Sequence, residues 1–164
     1  MSEDTERQAR LVQVATIAVA LETKTGCPAP MLIAQWAVES RWGAEPVGKS
    51  NYFGIKANCR DPESCTSETT EVIDGKRVEE SLRFADFDSL EASCEDYAVL
   101  ITTGAPYREA WASYLKTGDL NALIAATAAK YATSPEYSAL VTLIARQQNV
   151  ARAIADARQE KSSA

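Results

Sequence analysis

The chain has 164 residues, 46% of them hydrophobic and 24% charged, the balance of one compact domain able to bury a full core. It contains no histidine, which excludes Ser-His-Asp and Cys-His nucleophilic systems and removes the ligand on which most catalytic zinc sites depend. A formal net charge of -6 speaks against nucleic acid as a partner, because phosphate binding needs a basic surface.

Taken in chain order, the pattern predicts a single domain over residues 1–164, with polar ends at 1–6 and 158–164 that are expected to fray. A first helix is predicted from about Thr5 to Thr25, carrying Leu11, Val14, Ala18 and Leu21 as one stripe and stopped by Gly26. Its apolar run Ala9 to Leu21 does not read as a secretory signal, because the leader Ser2-Glu3-Asp4 is acidic and Gln13 and Thr16 interrupt the run. No stretch is apolar for long enough to span a bilayer, so no membrane partner is expected. Pro30 suits the first turn of a second helix reaching Trp42, where Gly43 ends it.

A Gly/Ser/Asn segment follows from Gly48 to Asn51. Between Thr66 and Phe84, Thr, Val and Ile flank Asp74-Gly75, the strongest short signal for a two-residue hairpin turn. In that turn Ile73 would face Lys76 and Glu71 would face Val78. Asp88 with Glu91 resembles a capping box opening a third helix to about Thr102. Further helices are predicted from Pro106 to Leu115, Asp119 to Tyr131 and Pro135 to about Ala157. The fold class is α+β, mainly α, with one inserted β-hairpin.

The four cysteines are unequal. Cys59 and Cys65 flank the polar loop from Arg60 to Ser64 and can close it as a disulfide, a ring worth at most about 2 kcal/mol in loop entropy. Cys94 shares a helical stripe with Leu90, Tyr97 and Ile101 and reads as a core residue, whereas Cys27 follows a helix end and is ambiguous. Their spacing is not that of a zinc ribbon, and neither metal nor other cofactor is expected.

The second helix is apolar almost all round, and Glu39 sits inside it. At helical spacing Gln35 and Trp36 lie one turn before Glu39 and Trp42 one turn after, so the carboxylate is expected to share a face with two indoles. Beside apolar surface a carboxyl holds its proton to higher pH, as a general acid that protonates a departing glycosidic oxygen must. On these residues alone, a structural Glu that braces a neighbouring loop is an equal alternative.

The string from Ala34 to Gly43, AQWAVESRWG, followed by Asn51-Tyr52-Phe53-Gly54-Ile55-Lys56-Ala57, resembles the glucosaminidase family of bacterial autolysins and flagellar peptidoglycan hydrolases, glycoside hydrolase family 73. Thr69-Thr70-Glu71 before the hairpin turn, and the segment from Lys130 to Tyr137, KYATSPEY, match further family motifs in the same order. Ser134 replaces the family's usual aspartate, and Arg41 stands where a small residue is common.

The resemblance implies a lysozyme-like fold and cleavage of the N-acetylglucosamine-β-1,4-N-acetylmuramic acid bond. Glu39 would be the catalytic acid, Glu71 the second carboxylate and Tyr131 a tyrosine in contact with the substrate. Tyr137, Trp42, Phe53 and Gln35 complete the candidate substrate-binding set, with Phe53 also read as packing that fixes the cleft wall. A muramidase or a lytic transglycosylase of the same fold, or a non-catalytic glycan-binding module, are the competing readings. The expected partner is the peptidoglycan strand, acted on by a monomer. A chain without a signal peptide would be made in the bacterial cytoplasm and reach the periplasm or wall as a phage endolysin or a secreted effector. The effector case implies an immunity protein that plugs the cleft.

Overall fold

The computed structural model describes the backbone of residues 1–57, 64–73, 76–132 and 134–163, and the side chains of all these but 64–73 and 76–83. The Cys59–Cys65 ring, the Asp74-Gly75 turn and Thr133 therefore lie outside the described residues.

Helix α1 spans Glu3–Thr25 and opens on Ser2, whose hydroxyl accepts from Thr5 N, with Glu3, Asp4 and Glu6 favourably placed at the positive end of the helix dipole. Leu11, Val14, Ala18 and Leu21 are buried as the stripe predicted, and Gly26, at φ 85°, ends the helix in the left-handed region. Helix α2, Ala29–Ser40, is buried along nearly its whole length. Its first turn is fixed by Glu22, which accepts from Ala29 N at 2.7 Å and from the Arg158 guanidinium at 2.7 Å. Helices α1, α3, α6 and α7 all pack against it, which sets α2 at the centre of the domain.

The chain leaves helical geometry two residues earlier than the sequence predicts. Arg41 and Trp42 adopt φ of 49° and 58°, left-handed values that cost a non-glycine residue about 1–2 kcal/mol. Tertiary contacts offset this: Trp42 N donates to Ala37 O, Gly43 N to the Ser40 hydroxyl, and the Trp42 ring meets Trp36 edge-on at 6.2 Å.

Strands β1, Ser64–Ile73, and β2, Lys76–Ala85, pair antiparallel with Ile73 opposite Lys76 and Glu71 opposite Val78, the predicted register. The ribbon's base is tied to the loop after α2 by Ala85 N donating to Ile55 O at 2.9 Å and by a bridge between Lys56 and Phe84.

Helix α3, Leu90–Thr103, is capped by Ser89, which accepts from Ala92 N, rather than by Asp88. Asp88 instead lies exposed, 3.4 Å from Lys49 Nζ. The Pro106 segment begins as a 3-10 turn over Ala105–Tyr107 and continues as α4, Arg108–Thr117. Helix α5, Leu120–Tyr131, starts on Asp119 as predicted.

The long helix expected after Pro135 is two, α6 over Pro135–Ala145 and α7 over Gln148–Ser163. The break carries neither glycine nor proline, so nothing local marks it. It lets α6 lie against α2 and α5 while α7 lies against α1. Helix also begins nearer the N-terminus and runs nearer the C-terminus than the sequence predicts, with Lys161 donating to the Thr23 hydroxyl. Among the described residues no helix is long and apolar enough to cross a membrane.

Candidate active site

Glu39 occupies the last turn of α2, where the helix emerges from the core. One turn earlier Gln35 is fully buried, and from the first turn of α6 Tyr137 reaches both residues. The Tyr137 hydroxyl donates to Glu39 Oε1, and Gln35 Nε2 donates to the Tyr137 hydroxyl at 2.5 Å.

The other carboxylate oxygen lies close to backbone. Gly54 sits at φ 62°, and a Cβ built there would lie 3.0 Å from Glu39 Oε2, so the close approach needs glycine for both conformation and space. The Asn51 side chain holds this loop in shape: its Nδ2 donates to the carbonyls of Ile55 and Ala85, and its Oδ1 accepts from the N–H groups of Phe53 and Ile55. Phe53 lies beneath the loop, fully buried and stacked on Tyr97 with ring centroids 4.5 Å apart.

Burial pushes the Glu39 carboxyl above the usual carboxylate range, and the hydrogen bonds from Tyr137 and Gln35 only partly oppose this. Burial likewise pushes up the Tyr137 phenol, helped by the neighbouring Glu39 charge and by its own donation to that carboxylate. Tyr131, at the end of α5, is pushed well up by burial first and then by Tyr107 and Glu39. All these phenols are neutral at ordinary pH, so the site is a shielded carboxyl ringed by hydroxyls.

A cleft of about 570 Å³ opens beside it, walled by Gly54, Ile55 and Lys56 on one side and Tyr107, Lys130 and Tyr131 on the other. Its volume is that of a pocket for a few-ring ligand. The Glu39 carboxyl lies next to Gly54, one of the residues that wall this cleft. A proton donor at the wall of such a cleft can protonate a leaving oxygen.

Residues 15–150 match the family described as mannosyl-glycoprotein endo-beta-N-acetylglucosaminidase. The chain belongs to this glucosaminidase family. Among its relatives is the peptidoglycan hydrolase FlgJ of Pseudomonas aeruginosa, 35% identical over 82% of this chain and 35% of that protein. A probable N-acetylmuramidase of Lactococcus lactis subsp. lactis is 30% identical over 88% of this chain and 34% of its own length. The chain thus spans about a third of the length of these curated relatives. In three dimensions it is similar to the catalytic domain of the autolysin Auto from Listeria monocytogenes, with a TM-score of 0.74, 29% identity and coverage of 93% of this chain and 90% of that one.

Set on this glucosaminidase frame, the residues singled out in the sequence divide into three groups. Glu39, Gln35, Tyr137 and Tyr131 come together. Trp42 does not join them: because α2 ends at Ser40, the one-turn spacing to Glu39 is lost, and the indole packs on Trp36 and under the Arg7 guanidinium, 5.4 Å from its ring centroid. Its backbone carbonyl accepts from Arg10. Of the two indoles expected beside Glu39, Trp42 is thus elsewhere, and the Tyr137 hydroxyl and the Gly54 backbone lie against the carboxylate.

Phe53 has no exposed surface and supports the cleft wall rather than touching a ligand. The Glu71 side chain lies outside the described residues. Ser134 caps α6 without a side-chain bond to the backbone and spends its hydroxyl on Glu136 instead. Arg41 points away and pairs with Glu45 at 2.6 Å. Asn51 and Gly54 were not assigned roles from the sequence, although both stand in the quoted motif; a polar residue and a glycine inside an aromatic loop were the available signal.

Proposed function

We propose that the protein hydrolyses the glycan strand of peptidoglycan at the N-acetylglucosamine-β-1,4-N-acetylmuramic acid bond, with Glu39 as general acid and Glu71 assisting. The observation that carries this reading is the half-buried Glu39 carboxyl, raised above the usual carboxylate range by burial and set against Gly54 at the wall of a cleft. Glu39 gives its proton to the departing glycosidic oxygen as the bond from C1 to that oxygen breaks and its electron pair leaves with the oxygen. Water adds to the resulting oxocarbenium-like carbon, and Glu71 takes the proton it sheds or stabilises the positive charge. The name of the Pseudomonas relative supports peptidoglycan as substrate. For Glu71 the support is the family motif and its place opposite Val78, near the far end of the ribbon that grows from the cleft's Ile55 wall.

A second reading, cleavage on the other side to leave N-acetylmuramic acid at the reducing end, is favoured by the name of the Lactococcus relative. Product analysis separates the two. Purified peptidoglycan is digested, reduced with borohydride and hydrolysed to sugars, and the alcohol of N-acetylglucosamine is the expected product. The alcohol of N-acetylmuramic acid makes the protein a muramidase, and an anhydro sugar makes it a transglycosylase. Under the proposal, Glu71→Gln lowers turnover in the same assay by about 10- to 1,000-fold, less than loss of the acid itself.

A further inference from the structure

We propose that Tyr137, itself oriented by Gln35, is a positioning residue that keeps the transferable proton of Glu39 on Oε2, the oxygen beneath Gly54; this rests on the reading of Glu39 as general acid. A carboxylic acid has two oxygens and one proton, and only the oxygen that meets the leaving group is useful. The site contains a device that chooses between them.

A phenol has a single hydrogen. Gln35 Nε2 donates to the Tyr137 hydroxyl, so at that contact the hydroxyl accepts, and its own hydrogen is left for Glu39 Oε1. Oε1 is then an acceptor whether or not the acid is ionised. When the carboxyl is neutral, the state that burial favours, its hydrogen sits on Oε2. That oxygen lies against Gly54, which lines the cleft. A Gln35 amide turned the other way would accept from Tyr137, force Tyr137 to accept from Glu39, and draw the acid proton onto Oε1, into the protein.

The groups that bear on Glu39 are accounted for element by element. Tyr137 faces it from α6, Gln35 from its own helix and Tyr131 from α5, with Tyr97 of α3 and Tyr107 of the 3-10 turn behind Tyr131. The charged residues of the adjoining cleft are Lys56, Asp96 and Lys130.

Tyr137→Phe tests the proposal, since it deletes one hydroxyl and keeps the ring. Two readouts are taken together: the pH profile of kcat/KM on purified peptidoglycan, and the titration of the Glu39 carboxyl followed by carbon-13 NMR of labelled protein. Loss of a donor to the carboxylate moves both the alkaline limb and the NMR titration to higher pH, while kcat falls about 10-fold with KM nearly unchanged. Gln35→Met, close in volume and without the amide, shifts the titration in the same direction by less, and serves if the first variant melts early.

A titration that stays in place, or moves to lower pH, overturns the proposal, the second outcome because it would mean that Glu39 donates to Tyr137. If the native protein cuts no glycan while the NMR titration still moves up in Tyr137→Phe, the general-acid reading falls and the hydrogen-bond order stands.

Discussion

The backbone of Gly54 crosses the carboxylate of Glu39 so closely that a methyl group in place of its hydrogen would lie 3.0 Å from Oε2. The same residue needs a left-handed φ of 62°. Gly54→Ala therefore meets two obstacles. The conformational one costs about 1–2 kcal/mol of stability, and the contact displaces either the loop or the acid. A lower melting temperature together with turnover reduced ~10-fold or more is expected, a misplaced catalytic group being costly in rate. An alanine variant with native turnover would show that the close approach is not needed.

Glu39→Gln keeps the shape of the side chain and removes its proton. Release of reducing ends should fall by ~10²-fold or more with the fold intact.

The same substitution has the opposite effect on stability, and the sign follows from linkage. Glu39 in the folded protein titrates above the ordinary glutamate value of 4.5. The unfolded chain thus loses its proton first as pH rises, and stability contributed by the neutral buried acid is full below that value and is lost on going up through the folded value. Glu39→Gln should melt close to the native protein at pH 4 and above it at pH 8. Parallel melting curves at the two pH values, with no change in their separation, would contradict the raised titration.

Asn51 joins four backbone groups of the cleft loop and the ribbon base through one buried amide. Asn51→Asp keeps the acceptor side and loses the donors to Ile55 O and Ala85 O, while Asn51→Ala loses both. Each buried group left unpaired costs about 1–3 kcal/mol, and aspartate in addition buries a carboxylate oxygen against two carbonyls, so aspartate should be the more destabilising of the two at neutral pH. Urea unfolding of both variants checks the order. Activity should fall in each, because Gly54 rides on the same loop.

Cys27 and Cys94 are free, fully buried thiols. Burial pushes the Cys27 thiol up to about 12 and raises that of Cys94 as well, which suppresses the reactive thiolate. Iodoacetamide at neutral pH should leave both unmodified in the native protein and label them on unfolding in urea. Peptide mapping of the same samples without reduction reads Cys59 and Cys65, which are expected to appear as one cross-linked fragment.

Most of the helices and the pairing of Glu71 with Val78 were legible because they depend on local chemistry. Apolar stripes repeat at helical spacing, Asp119 and Gly26 cap their helices through their own atoms, and a turn signal sets the register of two adjoining strands. The family motif in turn singled out Glu39 as the candidate acid among twenty-three acidic side chains that composition alone leaves equivalent.

What the tertiary structure decided depends on residues far apart in the chain. Helix α2 stops at Ser40 and Trp42 packs on Trp36 and under Arg7 of α1, while the last helical segment breaks after Ala145, with α6 set against α2 and α5 and α7 chiefly against α1. The partner that orients Glu39 is Tyr137, ninety-eight positions away, through a contact to which no periodicity in α2 points. Spacing along a helix tells which residues share a face. Only the packed chain tells what that face meets, and for a buried acid the meeting partner sets where its proton rests.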